Sequence, residues 1–384
     1  MEDGKAVAAV AAARQWRAAA ALTAIACLAL LGLQVQPLGF SLRLVAVTNM
    51  VGHQQAKQQQ QQQQQQQMPG DVSWSALNGS VDQFTIRGCP LRRFSHAEAV
   101  QCLAGKRLVF VGDSITRYQY LTLLHFLDRR QWPHPSGNQP GQPSVANEHE
   151  WPSWNAFLRG TSRLFGGREL CDCYREDLFQ YFDPRFRRFV TWKPPEEEKF
   201  ENRHYRSGNL SVSHFTFTTE PNTVHGHFGF PPYENGRKAC KPAACKAAAD
   251  WSYHLADALR KPVAAMQPTY LVLNSGLWGS SSAFGDKAWR EIARAGRAAV
   301  AAQQGRVIWR TTTASLGKAA VGRDHDTLAL QHTTAAGWGV LDAWAITNPL
   351  LQLLPGARPM WDPRHFTAVV YRELNQYLLN MICQ

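Results

Sequence analysis

At 384 residues the chain has room for one large domain or two small ones. Its 45% hydrophobic and 18% charged residues are those of an ordinary globular α/β protein with a full core. The net charge of +12 suits an acidic polymer, a membrane surface or simply a basic exterior. The same charge would suit nucleic acid, but no nucleic-acid motif accompanies it, so no nucleic-acid partner is expected.

Lys5, Arg14 and Arg17 precede an apolar run over 18–33, and a second apolar stretch extends it to 47. Positive charge ahead of such a run keeps the N-terminus cytosolic and sends the remainder across the membrane. The expected organisation is a cytosolic tail at 1–17 and an uncleaved signal-anchor at 18–47. A signal peptide removed near here, giving a secreted chain, is the alternative. Residues 48–84 read as a disordered stalk, because the ten glutamines at 58–67 bury too little to offset their ordering entropy. A globular domain is expected over 85–384.

A translocated chain meets an oxidising lumen, where most of its cysteines should pair. Cys89 with Cys102, and Cys240 with Cys245, are the local pairings expected. Asn78 and Asn209 head glycosylation sequons.

Inside the domain, the short apolar run 107–111 reads as a buried parallel strand, and a periodic apolar stretch after it as a helix. Gly112-Asp113-Ser114 lies between them. Ser114 is thereby placed in a strand-to-helix turn at the carboxyl edge of a sheet, where active sites of open α/β sheets form. Helix N-terminal N–H groups there are useful when an oxyanion develops, so the Ser114 N–H is one oxyanion donor. The competing role for Ser114 is a simple N-cap. Further strands are expected at 210–218, up to Asn274, at 306–311 and at 338–342. Helices are expected at 250–259, 287–302 and 325–335, and from 367 onward. Alternating strands and helices imply parallel pairing, hence a three-layer α/β/α sandwich with a mostly parallel sheet. Asn274, ending its strand, is a candidate second oxyanion donor.

Near the C-terminus, Asp362 and His365 stand three apart just before the last helix. A serine hydroxyl is a weak nucleophile and needs an adjacent base. An imidazole does that work, and a carboxylate fixes its tautomer. Ser114, Asp362 and His365 are therefore the candidate catalytic residues. Asp113 and Arg117 support them, Arg117 more through a structural ion pair than through the chemistry. His214, His225 and His227 share one segment, but the His225/His227 pair has no third ligand at a sensible spacing, so no metal is expected. Trp151, Trp154 and Trp278 are candidates to stack on sugar rings, with core packing as their ordinary role.

The CLAGKRLVFVGDSITR block, the NSGLW segment around Asn274, the WRT at 309–311 and the DPRH at 362–365 together resemble the SGNH/GDSL hydrolase superfamily. Within it the chain is most similar to the PC-esterase group, which includes plant trichome-birefringence-like proteins and the catalytic domain of sialate O-acetyltransferases. The resemblance implies O-acetylation of glycan or polysaccharide hydroxyls in the Golgi through an acyl-serine. Acetyl-CoA or another acetyl donor would be co-substrate, with no bound cofactor. It also implies a single-pass type II membrane protein with a lumenal domain. Departures are the missing cysteine-rich GRPD segment before GDS, Ser275-Gly276-Leu277 within the asparagine block, and a DPRHF ending. The group's oxyanion glycine finds only Gly208 as its match. A carbohydrate O-acetylesterase and an inactive glycan-binding protein of the same fold are the alternatives.

Overall fold

The computed structural model describes residues 72–77, 80–88, 90–134, 143–171, 180–183, 188–191, 202–218, 223–227, 250–277, 284–316, 321–353 and 359–383. The segments 1–17 and 18–47 and the sequon at Asn78 lie outside them. Among the described residues no helix is long and apolar enough to cross a membrane.

The packed chain begins earlier than 85. Strands β1 (Val72–Leu77) and β2 (Ser80–Ile86) form an antiparallel hairpin within the range expected to be stalk. Its residues are held for ordinary reasons of burial. The Phe84 ring is fully buried, Trp74 packs 5.5 Å from it, and the Trp74 Nε1–H donates to the Ile346 carbonyl at 2.7 Å.

Helix α1 (His96–Leu103) starts with a capping box formed by Ser95 and Glu98. It is followed by β3 (Arg107–Gly112), α2 (Ser114–Arg129), α3 (Trp154–Arg163) and β4 (Glu169–Cys171). Among the described residues, strands β5 (Gln180–Asp183) and β6 (Arg188–Thr191) pair only with each other. Then come β7 (Arg203–Ser207), β8 (Leu210–Thr218), β9 (Thr223–His227) and β10 (Asp250–His254). Helix α4 (Leu255–Ala258) runs into a π-helical turn ahead of β11 (Tyr270–Leu273). The chain closes with α5 (Asp286–Ala301), β12 (Arg306–Arg310), α6 (Thr327–Ala335), β13 (Gly339–Leu341), α7 (Ala343–Thr347), α8 (Leu350–Leu353) and α9 (Ala368–Ile382).

One element differs in kind from expectation. Residues 250–254 form a strand, and helix begins only at Leu255. Alternation of buried Trp251 with exposed Ser252 suits a strand edge, and the segment pairs antiparallel with β9.

The main sheet runs β10-β9-β8-β3-β11-β12-β13, with β7 and β4 added beside β8. Its centre, β8 through β13, is parallel; β4, β7, β9 and β10 are antiparallel additions. Successive side chains of a strand face opposite ways. Leu108 and Phe110 accordingly join a core with α2, α9 and the hairpin, while Val109 and Val111 join another with α4, α5 and α6. Helices therefore cover both faces, and each fully buried Val, Leu or Phe contributes roughly 1.5–3 kcal/mol. Among the parallel strands the chain goes from β3 to β8 on one side, then to β11 on the other. Connections leaving β3 and β11 diverge, and the opening between them is where open α/β sheets hold ligands.

The disulfide joins Cys102 to Cys383, not Cys102 to Cys89, across 281 residues. The reason is the packing of the last helix against the chain before α1. Gln376 and Asn380 use their amides as a substitute strand edge, exchanging hydrogen bonds with the backbone of Phe94 and Arg92. That contact brings the Cα atoms of Cys102 and Cys383 within 5.8 Å. Cys171 is also disulfide-bonded, and Cys89, Cys240 and Cys245 lie outside the described residues. Because the Cys102–Cys383 bridge closes nearly the whole domain, Cys383→Ser should lower stability by about 2–4 kcal/mol. Urea unfolding checks this, and a reductant should remove the difference between the variant and the unsubstituted chain.

Candidate active site

The turn after β3 is organised by Asp113. Its Oδ1 accepts the Ile115 N–H at 3.0 Å, making Asp113 the N-cap of α2. Its Oδ2 accepts the Leu277 N–H at 2.7 Å, tying the turn at Ser114 to the loop after β11. Only glycine fits at 276: the backbone is left-handed (φ +65°), and a Cβ there would lie 1.7 Å from Asp113 Oδ2. Ser114 is thus the first helical residue rather than the cap, and its hydroxyl is spared for another partner. It is half-buried, whereas its neighbours from 108 to 127 are buried.

That partner is His365. Ser114 Oγ and His365 Nε2 are 2.8 Å apart, although 251 residues separate them in sequence. Asp362 shapes the other end. Its Oδ1 accepts the Arg364 and His365 N–H groups at 2.6 and 2.7 Å, and its Oδ2 lies 2.7 Å from His365 Nδ1. With Nδ1–H donated to the carboxylate, Nε2 is left to accept from the serine hydroxyl. Burial pushes the Asp362 carboxyl up, but the His365 hydrogen bond and charge and the two N–H groups outweigh it and hold it below its usual range. A bridge between Met360 and Phe366, and the Pro363 carbonyl accepting from Leu316 N–H, fix the loop that carries both residues.

The other expected residues fall differently. Arg117 is buried in an ion pair with Glu148 at 2.9 Å, with its guanidinium over the Tyr118 ring. Asn274 is fully buried, and its amide N–H groups point to the Arg310 carbonyl (2.9 Å) and Thr312 Oγ1 (3.3 Å). Those donors are committed to joining β11 to the end of β12, and the expected oxyanion role for the Asn274 amide is not supported. Gly208 sits in the β7–β8 turn. Register pairs Arg107 with Ser211 and Gly112 with Thr216, which puts Gly208 at the opposite edge of the sheet from Ser114. At about 3.3 Å per residue that is roughly 20 Å away, and Gly208 is not an oxyanion donor. Asn209, in the same turn, is exposed. Trp151 donates to the Ser144 carbonyl and packs over Gly160, a structural position; nothing is described of the Trp154 side chain or of Trp278. His214 packs in the core beside Tyr120, and among the described residues no group of three His, Cys, Asp or Glu could hold a metal.

Three aromatic and acidic residues of the site were not singled out in the sequence. Tyr118 follows Ser114 by one helical turn, meets His365 edge-on at 5.3 Å, and donates to Glu148 at 2.5 Å. Trp361, adjacent to Asp362, lies against His365. The i+4 spacing marks Tyr118 as a neighbour of Ser114; nothing in the sequence marks Glu148.

Beneath the site runs a buried polar layer. Arg310, fully buried, donates from Nε to Gln119 of α2 and from Nη1 to the Thr311 carbonyl. Burial lowers its guanidinium to about 10, against the opposing charges of Tyr371, Asp113 and Asp326. Asp326 accepts the Thr312 N–H at 2.7 Å, yet burial still pushes its carboxyl up to about 6.

No known family profile matches the chain, and no curated protein matches it. A solved structure to which it is similar is a mutant of an acetyl-xylooligosaccharide esterase from Geobacillus Stearmophilus. That likeness has 13% identity and a TM-score of 0.29, covering 73% of this chain and 94% of that one. So slight a likeness carries no argument, and the site stands on its own geometry.

Asp326 supplies a pH test of the buried layer. Its folded value of about 6 lies above the ordinary 3.8, so the folded state holds the proton more tightly. The associated stability is full below about 4 and is lost as pH rises through about 6. From this group the unsubstituted chain should lose about 2–3 kcal/mol of stability between pH 4 and pH 7, and Asp326→Asn should remove that loss. Urea unfolding of both proteins across that range measures it.

Proposed function

We propose that the chain is a serine-dependent O-acyltransferase, acting on glycan hydroxyls through an acetyl-serine intermediate. The single observation carrying this reading is the continuous relay from Ser114 Oγ to His365 Nε2 and from His365 Nδ1 to Asp362, at the opening between β3 and β11. A buried or inert serine needs no such pair. The likeness of the GDS, NSGLW, WRT and DPRH blocks to the PC-esterase group of the SGNH superfamily supports the choice of acyl group and acceptor.

In the proposed first half-reaction Ser114 Oγ attacks the acetyl carbonyl of a donor such as acetyl-CoA. Its proton passes to His365 Nε2, and Asp362 stabilises the imidazolium. The oxyanion is held by the Ser114 N–H, one of the unpaired donors of the first turn of α2. Collapse expels the donor's thiolate or alkoxide, which takes the proton from His365. In the second half a sugar hydroxyl gives its proton to His365 and attacks the acetyl-serine, releasing the ester and restoring Ser114. Water in place of the sugar gives an esterase with the same machinery. The apolar segment at 18–47 and the stalk behind it support a membrane-tethered, lumenal setting in the Golgi, where transfer to nascent glycans is the fitting outcome.

The test uses the full chain with a chromogenic acetyl ester. Intact mass should show one acetyl group, placed on Ser114 by peptide mapping, and added glycan acceptors should discharge it faster than buffer does. Ser114→Ala should lose the adduct while keeping its unfolding midpoint. Asp362→Asn should slow acylation by roughly 10⁴-fold through the wrong imidazole tautomer. An unsubstituted chain that never acylates would overturn the assignment, and discharge to water alone would reduce it to an esterase.

A further inference from the structure

A histidine that shuttles protons must keep its ring in one plane while its charge changes twice per cycle. Hydrogen bonds at Nδ1 and Nε2 define two points of that plane in His365 and leave the ring free to tilt about the line joining them. The Trp361 indole removes this freedom. It is stacked on the imidazole with ring centroids 4.8 Å apart and planes within 14°.

Trp361 is itself held. Its Nε1–H donates to the carbonyl of the fully buried Ala146 at 2.6 Å. The Tyr118 ring meets it edge-on at 5.7 Å and meets His365 edge-on at 5.3 Å. Tyr118 is tied in turn to Glu148, which Arg117 also holds. An indole that merely filled space would not need its plane matched to the imidazole and its N–H pinned to a backbone carbonyl.

We infer that Trp361 is a positioning residue for His365, aligning the imidazole with Ser114 and stabilising its cationic form through the indole face. The inference rests on the proposed acyl-transfer reading. An aromatic face is the negative end of the ring quadrupole and attracts a cation more than a neutral ring. The imidazole gains a positive charge when the serine proton moves to Nε2. Stacking therefore favours the transition state over the ground state, and interactions of that kind appear in kcat rather than KM.

The experiment compares Trp361→Leu, Trp361→Met and Trp361→Phe in the full chain. All three lose the hydrogen bond to Ala146, and only Phe keeps a ring face, so the comparison isolates stacking. Single-turnover acylation by p-nitrophenyl acetate is followed at a series of ester concentrations, with Ser114→Ala as the blank. The leucine and methionine variants should acylate roughly 3- to 30-fold more slowly, with the half-saturating concentration unmoved. The phenylalanine variant should stay within about threefold of the unsubstituted chain, the lower end of the same range. Full rates in both non-aromatic variants, or a folded phenylalanine variant as slow as they are, would overturn the positioning role while leaving the acyl-serine reading intact. An unsubstituted chain with no Ser114-dependent acylation would overturn that reading and this inference together.

Discussion

The two oxygens of Asp113 hold together everything else at this site. One caps α2 and the other captures the Leu277 N–H from the loop after β11. Were the cap supplied by Ser114 itself, its oxygen would be turned toward the helix N–H groups. Shifting the cap one residue upstream frees that oxygen and leaves it facing outward at the sheet edge. The same carboxylate leaves no room for a side chain at Gly276 and joins the two strands whose connections diverge. An inconspicuous acid in the GDS triplet therefore both caps the helix that begins at Ser114 and ties that turn to the loop after β11.

His365 arrives from the far end of the chain and needs a platform as firm as the one under Ser114. Helix α9 supplies it by borrowing polar contacts that would be costly if left unmade. Asn375 donates to the Gln119 carbonyl of α2, and Gln376 and Asn380 pair with the backbone before α1. Glu373, fully buried, takes Arg93 and the Phe84 N–H of the hairpin. The Cys102–Cys383 bond closes the same contact covalently. The hairpin, the first helix and the last helix thus form one clamp behind the loop that carries Asp362 and His365. A hairpin next to a polyglutamine tract becomes part of the support for a histidine nearly three hundred residues away.

The buried polar layer explains why expected roles moved. Asn274 ends its strand as anticipated, but both amide protons are already given to the ends of β12 and its following loop. Arg310 does similar work from below, bonded to Gln119 with Asp113 and Asp326 near enough to offset part of its burial cost. Such a layer is expensive to bury unless satisfied. Its return is orientation: α2, β11 and β12 cannot slide past one another without breaking it.

Much of this was legible in the chain itself. Short β-branched runs and amphipathic stretches specify local structure, so β3, β8, β11, β12 and α9 could be read nearly to the residue, as could the parallel sheet their alternation implies. The turn at Ser114 and the Asp362-to-His365 spacing were legible too, because each is a local arrangement of a few adjacent residues. What needed the tertiary structure was every relation across long stretches of sequence. The Cys102–Cys383 pairing, the pairing of Arg117 with Glu148 and the seating of Trp361 on His365 depend on which surfaces pack together. The hairpin at 72–86 reads as stalk because its apolar residues are few and find their core only against distant helices, α7 and α9. Asn274 and Gly208 have the residue types an oxyanion site uses, but type cannot say which acceptors an amide will meet or at which end of a sheet a turn will lie. Sequence determined the local elements and their chemistry because those depend on neighbours along the chain; the fold alone decided the partners, because hydrogen bonds and packing act over a few ångströms in space.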